Sequence, residues 1–464
     1  MKFLPSWWRG LVIHGLLLAG LTATSAEPND DAGAVEESSP REAVAAAPDL
    51  RWWKGNLHTH SLWSDGDEFP EMIAAWYLDH NYNFLALSDH NTLGNDLRWM
   101  PYEDIVKRAD AGILARYQQR FGHEWVETRE VMADEPAEGK TSEDNEAVDQ
   151  ATDKQSPKLE VRLKPLSEFR CLLDQAGRFL MIQGEEISDQ AGGKPLHMNA
   201  TNLQELIRPV GGATIREVMQ NNLRQVLEQE AATGREMLPH LNHPNFHYAV
   251  TADDIAHVIQ EHFFEIFNGH PGVNQLGDHD HISIERMWDV VNAVRLIQLD
   301  APPLMGLGND DSHEYHGLPG ARPGRAWVMV RSRYLTPEHL IRAMKAGDFY
   351  ASTGVVLDDV GYNAATKTLS LDIQAVDGVE FTTEFVATLQ PPKQESSAES
   401  DALPKLPAAE DIGKVVAIST SLAPSYAFQG NEVYVRARVT SSAAHVDPNV
   451  PDQLQQAWTQ PIVP

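Results

Sequence analysis

The chain has 464 residues, of which 42% are hydrophobic, so it can form one large domain with an appendage or two to three ordinary domains. Its formal net charge is −30, from 67 acidic and 37 basic side chains. Such a surface repels nucleic-acid phosphates, which argues against a nucleic-acid partner, and no basic stripe indicates an anionic membrane surface. The single cysteine, Cys171, excludes an intrachain disulfide.

The first residues predict export. Residues 1–26 have the features of a signal peptide, because a basic start precedes a short apolar run from Leu11 to Ala23 and then small residues. That run is shorter than the roughly 20 residues of a membrane-spanning helix. We therefore expect a periplasmic or extracellular protein with no stable membrane span after signal cleavage. Residues 27–49, rich in Ala, Glu, Pro and Ser, predict a disordered tether.

From residue 50 onward, short apolar runs alternate with amphipathic stretches. The predicted strands cover residues 83–88, 178–183, 262–267, 304–307 and 325–330. The predicted helices cover residues 70–80, 102–121, 214–232, 252–261 and 283–294, and another begins at Pro337. Strand–helix alternation of this kind favours an α/β fold with a mostly parallel sheet, which a barrel would close. We expect the main domain to span residues 50–354.

Two segments interrupt this alternation. Residues 95–175 form a predicted insertion, and its acidic part at 127–160 is predicted to be disordered because it has few hydrophobic residues. After about Gly354 the sequence offers short alternating segments that are typical of β-strands. We therefore expect residues 355–464 to form a small β-rich appendage.

Histidines and carboxylates cluster just after the predicted strands. In a parallel sheet the carboxyl ends of the strands open on one face, so residues far apart in sequence can converge there. His58 and His60 are two residues apart at a strand end, which points both imidazoles to the same side, and Asp65 follows in a Ser-Asp-Gly turn. A polar strand-to-turn junction is the alternative interpretation of this run.

Five further motifs carry candidate ligands. They are Asp89-His90-Asn91, Glu185-Glu186, His197, the pair His240 and His243, and Asp310-Asp311-Ser312-His313. Taken singly, Asp89 could be a helix N-cap and the His240 to His243 segment an ordinary turn. His270, His279 and His281 either line the mouth of the site or lie on the surface, and the surface is favoured.

The candidate ligands are imidazoles with a few carboxylates and no thiolate. This composition suits Zn, Mn or Fe better than Ca or Mg, which prefer oxygen-rich sites. About nine ligands are too many for one ion and fit two or three divalent ions that share a bridging carboxylate. The expected cofactor is therefore a group of two or three metal ions.

The order of these motifs resembles the PHP family of metal-dependent phosphoesterases, named for its polymerase and histidinol phosphatase members. The resemblance covers residues 52–354, with residues 95–175 as an insertion, and is greatest for the stand-alone branch that includes a carbaryl hydrolase. It implies a distorted (βα)7 TIM-like barrel with up to three ions. The implied ligands are His58, His60 and Asp311 for the first ion, Glu186 as bridge, His197 and His243 for the second, and Asp65, His90 and His313 for the third.

Three doublets stay open as ligands, although the family pattern favours Glu186 over Glu185, Asp311 over Asp310 and His243 over His240. The resemblance implies a phosphoesterase of small organic phosphates, in which a hydroxide bridging two ions attacks phosphorus and the carboxylates of Asp311 and Glu186 are catalytic. Arg322, Arg325 and His316 are candidates for binding the anionic group of the substrate. The alternatives are a hydrolase of esters, carbamates or amides with the same metals, and a metal-stabilised binding protein without turnover.

Overall fold

The structure is a computed structural model that describes residues 48–132, 157–391 and 403–464. The expected signal peptide and almost all of the expected tether lie outside these residues. Within the three described ranges, no helix has both the length and the apolar character needed to cross a membrane.

The described residues form nineteen strands and eight α-helices. The strands are β1 (Arg51–Asn56), β2 (Phe84–Leu87), β3 (Arg98–Pro101), β4 (Thr128–Val131), β5 (Lys158–Leu163), β6 (Leu180–Ala191), β7 (Lys194–Thr201), β8 (Leu238–Leu241), β9 (Phe263–Asn268), β10 (Met305–Asn309), β11 (Trp327–Ser332), β12 (Phe349–Ser352), β13 (Leu357–Asn363), β14 (Thr368–Ile373), β15 (Phe381–Leu389), β16 (Lys414–Ser419), β17 (Ser425–Ala427), β18 (Glu432–Ala444) and β19 (Leu454–Thr459). The helices are α1 (Pro70–Asp79), α2 (Tyr102–Arg108), α3 (Ile113–Phe121), α4 (Leu166–Leu173), α5 (Ile215–Thr233), α6 (Ala252–His257), α7 (Ile284–Gln298) and α8 (Pro337–Lys345).

Helix ends follow local sequence signals. The expected helix at Pro337 is α8, in which Thr336 caps the first turn by accepting the backbone N–H of His339. Helix α6 begins with a capping box between Thr251 and Asp254. Helices α6 and α8 therefore begin where a side chain can satisfy backbone N–H groups that have no partner within the helix.

The main feature is a sheet of thirteen strands in the order β10-β9-β8-β7-β6-β2-β1-β11-β12-β19-β18-β15-β16. The pairs β1–β2, β2–β6, β8–β9 and β9–β10 are parallel, whereas β6–β7, β7–β8 and β1–β11 are antiparallel. The expectation of a mostly parallel sheet is wrong, because eight of the twelve strand pairs of this sheet are antiparallel. The expected α/β class, here with a large mixed sheet, is confirmed. The expected (βα)7 barrel is not, because among the described strands β10 and β16 remain as two edges and no barrel closes.

One hairpin accounts for much of this departure from a parallel barrel. Strand β6 continues past the predicted end at Gln183, through Glu185 and Glu186 to Ala191, and then turns back into β7. Gly192 and Gly193 form the two-residue turn, with φ values of 57° and 78° that favour glycine. The chain thus inserts a hairpin where a βα unit was expected.

The sheet nevertheless curls so that β10 approaches the strands beyond β1. A Cβ atom on Gly308 of β10 would lie 3.2 Å from the carbonyl oxygen of Trp327 in β11, so this close approach requires glycine. Beyond the strand ends, the N–H of His60 donates to Ser312 O at 2.9 Å and the N–H of Asp311 donates to His58 O at 3.0 Å. These bonds join the loops that carry the histidine motifs.

The predicted insertion contains a small antiparallel sheet in the order β3-β5-β4, together with α2 and α3. The acidic segment predicted to be disordered has paired strands, β4 and β5, at its two ends. Strand β5 also contributes Val161 and Leu163 to a buried hydrophobic cluster. Residues 133–156 lie outside the described part of the chain.

Residues from 355 onward are rich in β-structure, and their strands extend the large sheet through the β12–β19 pair. Strand β18 packs on α7 through a buried polar group that we call the Arg436 cluster, formed by Glu285, Asp289, Tyr434 and Arg436. The guanidinium of Arg436 donates to Asp289 at 2.9 and 3.0 Å and to Glu285 at 3.0 Å. Charged hydrogen bonds thus join the C-terminal strands to the main sheet.

Candidate metal centre

All nine predicted ligands converge at one end of the sheet. Six follow or lie within strands of the sheet: His58 after β1, His90 after β2, Glu186 in β6, His197 in β7, His243 after β8 and Asp311 after β10. His60, Asp65 and His313 lie in the adjoining loops. We call these nine residues the metal centre.

The deepest part of the metal centre contains two imidazoles and two carboxylates. The Nε2 atom of His58 lies 3.2 Å from Glu186 Oε2 and 3.1 Å from Asp311 Oδ1. The Nε2 atom of His60 lies 3.1 Å from each of the same two oxygens. All four side chains are at most 6% exposed. Two nitrogens and two oxygens therefore face one point.

A second group lies nearer to solvent. One carboxylate oxygen of Asp65 is 3.6 Å from His60 Nδ1 and 3.4 Å from His313 Nε2, and the other is 3.4 Å from His90 Nε2. Asp65 is 53% exposed, whereas His58 is fully buried. We call the side formed by Asp65, His90, His197 and His313 the entrance of the metal centre.

The third group surrounds the other oxygen of the central carboxylate. Glu186 Oε1 lies 3.1 Å from His197 Nδ1 and 3.5 Å from His243 Nε2, while Oε2 lies 3.0 Å from His90 Nδ1. Both oxygens of Glu186 thus face imidazole nitrogens on different sides. A carboxylate in this position can bridge two cations.

The deepest atoms have the features of metal ligands. Among the described residues, His58 Nε2, His60 Nε2 and Glu186 Oε2 are buried without a hydrogen-bond partner, a costly arrangement in a folded protein. Ligand atoms bound to one Zn²⁺ at about 2.1 Å would lie about 3.0 to 3.4 Å apart, close to the separations found here. The donor set of imidazoles and carboxylates therefore fits a divalent ion of the Zn, Mn or Fe type.

The electrostatics lead to the same conclusion. Burial alone would lower the pKa of His60, but the nearby carboxylates of Asp311 and Glu186 outweigh burial and raise the pKa to about 9. Burial would raise the pKa of Glu186, but the neighbouring imidazoles hold it well below its usual range. The carboxylates therefore require positive charge beside them, which either protons or metal ions can supply.

Buried partners orient the ligands. Glu265, on β9, accepts a hydrogen bond from His58 Nδ1 at 2.7 Å, which leaves Nε2 free to bind an ion. The Nδ2 groups of Asn242 and Asn268 donate to Glu186 at 2.7 Å and to Asp311 at 3.1 Å. None of these three was predicted. Glu265 has a visible signal, since it is the only charged residue of the apolar strand Phe263–Asn268.

The loop that carries His60 and Asp65 is shaped by Asp89. Its buried carboxylate accepts hydrogen bonds from the backbone N–H and the hydroxyl of both Ser61 and Ser64. Gly66 completes the turn, because a Cβ atom there would lie 2.5 Å from the carbonyl oxygen of His60. Asp89 thus holds the loop in place, which is a different task from metal binding.

The three doublets separate in space. Glu185 accepts the N–H of Ile207 at 2.9 Å, away from the metal centre. Asp310 accepts backbone N–H groups of residues 324–326 and the hydroxyl of Tyr77. His240 lies 3.8 Å from Glu265. Asp311 reaches the centre because its φ of 50° turns the chain in a left-handed conformation that aspartate tolerates.

The predicted anion-binding residues are occupied elsewhere. Arg322 and Arg325 both contact Asp447, and buried Arg325 also donates to the carbonyl oxygens of Gly269 and Gly320. His316 lies 3.3 Å from Glu68 and accepts a hydrogen bond from Arg116. The hydrogen bonds and ion pairs of Arg322, Arg325 and His316 described here are all with residues outside the nine ligands. The partner of the two arginines lies over 120 residues away in sequence, which is why the sequence did not reveal it.

One histidine predicted to lie on the surface does not. The ring of His270 lies 5.7 Å from that of His313 and 6.0 Å from that of Phe246, measured between centroids. Phe246 in turn lies 5.1 Å from His243. His281 is an exposed residue that stacks on Tyr248, as the surface prediction requires. Phe246 and His270 thus form a wall beside the metal centre.

Comparison with known proteins gives little direct information. The sequence matches no family profile and no curated protein. Among solved structures, a two-domain protein from Bacteroides vulgatus containing a predicted PHP-like metal-dependent phosphoesterase has a TM-score of 0.35 and 13% identity, covering 91% of this chain and 100% of that one. A Bifidobacterium adolescentis protein, provisionally described as a metal-dependent phosphoesterase, has a TM-score of 0.27 and 11% identity, covering 58% and 90%. At these scores the likeness carries no argument, so function is argued from the metal centre.

Proposed function

We propose that this protein is a metal-dependent hydrolase, and most specifically a phosphoesterase of small organic phosphates. The observation that carries the proposal is the convergence of His58 Nε2, His60 Nε2 and Glu186 Oε2, buried without hydrogen-bond partners, on the Oδ1 atom of Asp311. Such atoms are stable in a folded protein when a cation lies between them.

The nine ligands are enough for two or three ions. His58, His60, Asp311 and Glu186 would hold the first, Glu186 with His197 and His243 the second, and Asp65, His90 and His313 the third. Bound divalent ions of this kind lower the pKa of water to near 7 and polarise a phosphoryl oxygen. The carboxylates of Glu186 and Asp311 are the residues that hold these ions at the reacting position.

The chain contributes an oriented site that is open on one side. Glu265 fixes the ring of His58 on the closed side, where the side chains are fully buried. At the entrance, the side chains of His90, His197 and His313 are 26%, 17% and 15% exposed. A substrate of modest size would therefore approach past these three imidazoles. In the wall beside the metal centre, Phe246 offers an apolar surface and His270 a polar surface to the organic part of the substrate.

Two finer proposals rest on the sequence alone. The motif order that resembles the PHP family supports phosphoester hydrolysis, and the stand-alone branch with carbaryl hydrolase is the part of the family that we favour. Export to the periplasm or the cell exterior follows from the signal-peptide features of residues 1–26.

The test begins with metal content. Elemental analysis of the purified chain should give two or three equivalents of Zn, Mn or Fe, and His58→Ala with His60→Ala should lose most of it. The matched control is His123→Ala, since His123 is exposed and outside the metal centre. Less than one equivalent in the wild-type chain, unchanged by the double substitution, would contradict the metal centre.

The second step identifies the reaction. The metal-loaded protein should release phosphate from a panel of small phosphomonoesters and phosphodiesters, and the double variant should not. Faster turnover of p-nitrophenyl acetate than of any phosphate ester, lost in the double variant, would favour the ester, carbamate or amide alternative. Full metal occupancy with no turnover of any substrate would make it a binding protein.

A further inference from the structure

Two arginines of the insertion differ from the others in their partners. Arg116, Arg120, Arg129, Arg162 and Arg170 each pair with a carboxylate. Within the described ranges, neither Arg98 nor Arg108 has a carboxylate oxygen within 4.0 Å, even though the chain carries a net charge of −30. Other arginines outside the insertion, such as Arg51 and Arg333, also donate only to backbone carbonyl oxygens, so the argument for an external anion depends on where Arg98 and Arg108 lie.

Both guanidiniums lie on the turn that bears Asp65. The Nη1 group of Arg98 donates to the carbonyl oxygen of Trp63. The Nη1 group of Arg108 donates to the carbonyl oxygen of Ser64 at 2.5 Å and lies 3.5 Å from that of Gly66. Since Trp63 and Ser64 are consecutive, the two guanidiniums are neighbours. Carbonyl oxygens carry no net charge, so these bonds do not neutralise either guanidinium. Burial and the charge of Arg108 lower the pKa of Arg98, and nearby Asp89 offsets them only in part.

The location places these charges at the entrance of the metal centre. Asp65, which directly follows Ser64, is the most exposed of the nine ligands at 53%. Arg98 and Arg108 are themselves only partly buried, and each has used a single terminal nitrogen on the turn. The remaining N–H groups form the planar fork that binds phosphate or carboxylate through two parallel hydrogen bonds.

We propose that Arg98 and Arg108 form a second-anion subsite, which binds a phosphate or carboxylate group of the substrate other than the phosphate that is hydrolysed. The subsite extends the proposed function and rests on it for its role in turnover. It selects organic phosphates that carry two anionic groups. The insertion thereby supplies the positive charge that Arg322 and Arg325, which contact Asp447, do not supply.

The kinetic test compares substrates that differ in one group. Ethyl phosphate carries a single phosphate, propanediol bisphosphate adds a second phosphate, and phosphoglycolate adds a carboxylate. Charged hydrogen bonds contribute enough to favour the two doubly anionic substrates about tenfold or more in kcat/KM. In Arg98→Gln with Arg108→Gln this preference should disappear, because KM rises more for the two doubly anionic substrates than for ethyl phosphate. The ratio between the bisphosphate and phosphoglycolate tells which anion the subsite prefers.

The control and the opposite outcome are both defined. Arg120→Gln removes an arginine of the same insertion that has its own partner, Asp79, and should keep the wild-type preference. If the double variant loses activity equally on all three substrates, or loses metal, the arginines only fasten the Asp65 turn and the proposal is wrong. If that variant does not fold, wild type without any preference overturns the proposal by itself.

A binding measurement separates this proposal from the proposed function. Chelator-treated full-length protein is titrated with inorganic phosphate in a calorimeter, so that the metal ions do not contribute. We expect binding by wild type and by Arg120→Gln, and at least tenfold weaker binding by Arg98→Gln with Arg108→Gln. Phosphate binding that needs both arginines, in a protein without phosphatase activity, would support the subsite and reject the phosphoesterase. No phosphate binding by wild type would reject the subsite alone.

Discussion

The metal centre and the Arg436 cluster are both buried groups of carboxylates, but they are neutralised in different ways. In the Arg436 cluster, the guanidinium of Arg436, 1% exposed, donates to Asp289 and Glu285. In the metal centre, the described residues offer Glu186 and Asp311 imidazoles and uncharged amides but no lysine or arginine, and several of the facing atoms lack hydrogen-bond partners. One cluster contains its own cation, and the other must obtain cations from solution.

This difference separates stability from function. A buried ion pair within the chain contributes to the native state whatever the solution contains, and it costs several kcal/mol to break. A site that takes its cations from solution makes stability depend on metal concentration. A chelator should therefore destabilise the protein through the metal centre and not through the Arg436 cluster. A substitution in the Arg436 cluster should lower stability without removing metal.

The largest effect is expected from removing the bridging carboxylate or the ions. Glu186→Gln should lose most bound metal and nearly all activity, because both carboxylate oxygens face candidate ion positions. An ion present at 1,000 times its Kd stabilises the folded state by about 4 kcal/mol, so a chelator should lower the Tm of wild type markedly. The same chelator should leave the Tm of Glu186→Gln unchanged. A chelator effect of equal size in both proteins would contradict the comparison.

The Arg436 cluster should show the reverse behaviour. Asp289→Asn leaves buried Arg436 with Glu285 as its remaining carboxylate partner, and the lost charged hydrogen bonds should lower the free energy of unfolding by about 3 kcal/mol in urea denaturation. Its metal content should equal that of wild type. The control is Asp253→Asn. The ion pair of Asp253 with Arg216 is exposed, so its loss should lower the free energy of unfolding by only about 0 to 1 kcal/mol. Loss of metal in Asp289→Asn would show that the two clusters are coupled.

The sequence predicted the ligands of the metal centre better than the scaffold around them. His58 and His60 could be placed together because residues two apart at a strand end face the same side. Choosing Glu186 and Asp311 over their neighbours needed a family resemblance, since nothing local tells which of two adjacent carboxylates turns inward. The left-handed φ of Asp311 that makes the difference is visible only in the structure.

The errors have identifiable physical causes. The hairpin β6–β7 was missed although Gly192-Gly193 is a recognised two-residue turn signal, because the predicted strand ended at Gln183. Arg322 and Arg325 were assigned to the substrate because their partner, Asp447, lies far away in sequence. Long-range pairing of charges leaves no local pattern, so only the folded structure could assign these residues.

Glu261 offers a third kind of buried carboxylate and a pH test. It is fully buried next to Arg295, but that guanidinium donates to the carbonyl oxygens of Ile255, Val258 and Glu261 itself. Burial raises the pKa of Glu261 from 4.5 to about 7, outweighing a backbone hydrogen bond from Phe263 and the charge of Arg295. Its carboxyl should thus be protonated in the folded protein at mildly acidic pH.

Because this pKa is raised in the folded protein, the contribution of Glu261 to stability falls as the pH rises. The stability contributed by protonated Glu261 is complete below about pH 4.5 and is lost as the pH rises through about 7. Relative to Glu261→Gln, which cannot ionise, wild type should lose up to about 3 kcal/mol of unfolding free energy across this range. Urea denaturation of both proteins in chelator measures the difference without a contribution from metal. A constant difference between pH 4 and 8 would show that the pKa of Glu261 is the same in the folded and the unfolded protein.

The smallest effect should come from replacing Glu265. This residue contacts the ligand His58 but does not itself face the ions. Glu265→Gln keeps the shape but weakens the hydrogen bond that fixes His58, so metal affinity or kcat should fall by about 10- to 100-fold. Glu185→Gln is the control, since Glu185 is equally buried but accepts a backbone N–H outside the centre. Competition with a chelator of known affinity measures the loss. A loss as large as that of Glu186→Gln would make Glu265 a ligand, whereas no loss would mean that the buried imidazole of His58 is held by packing alone.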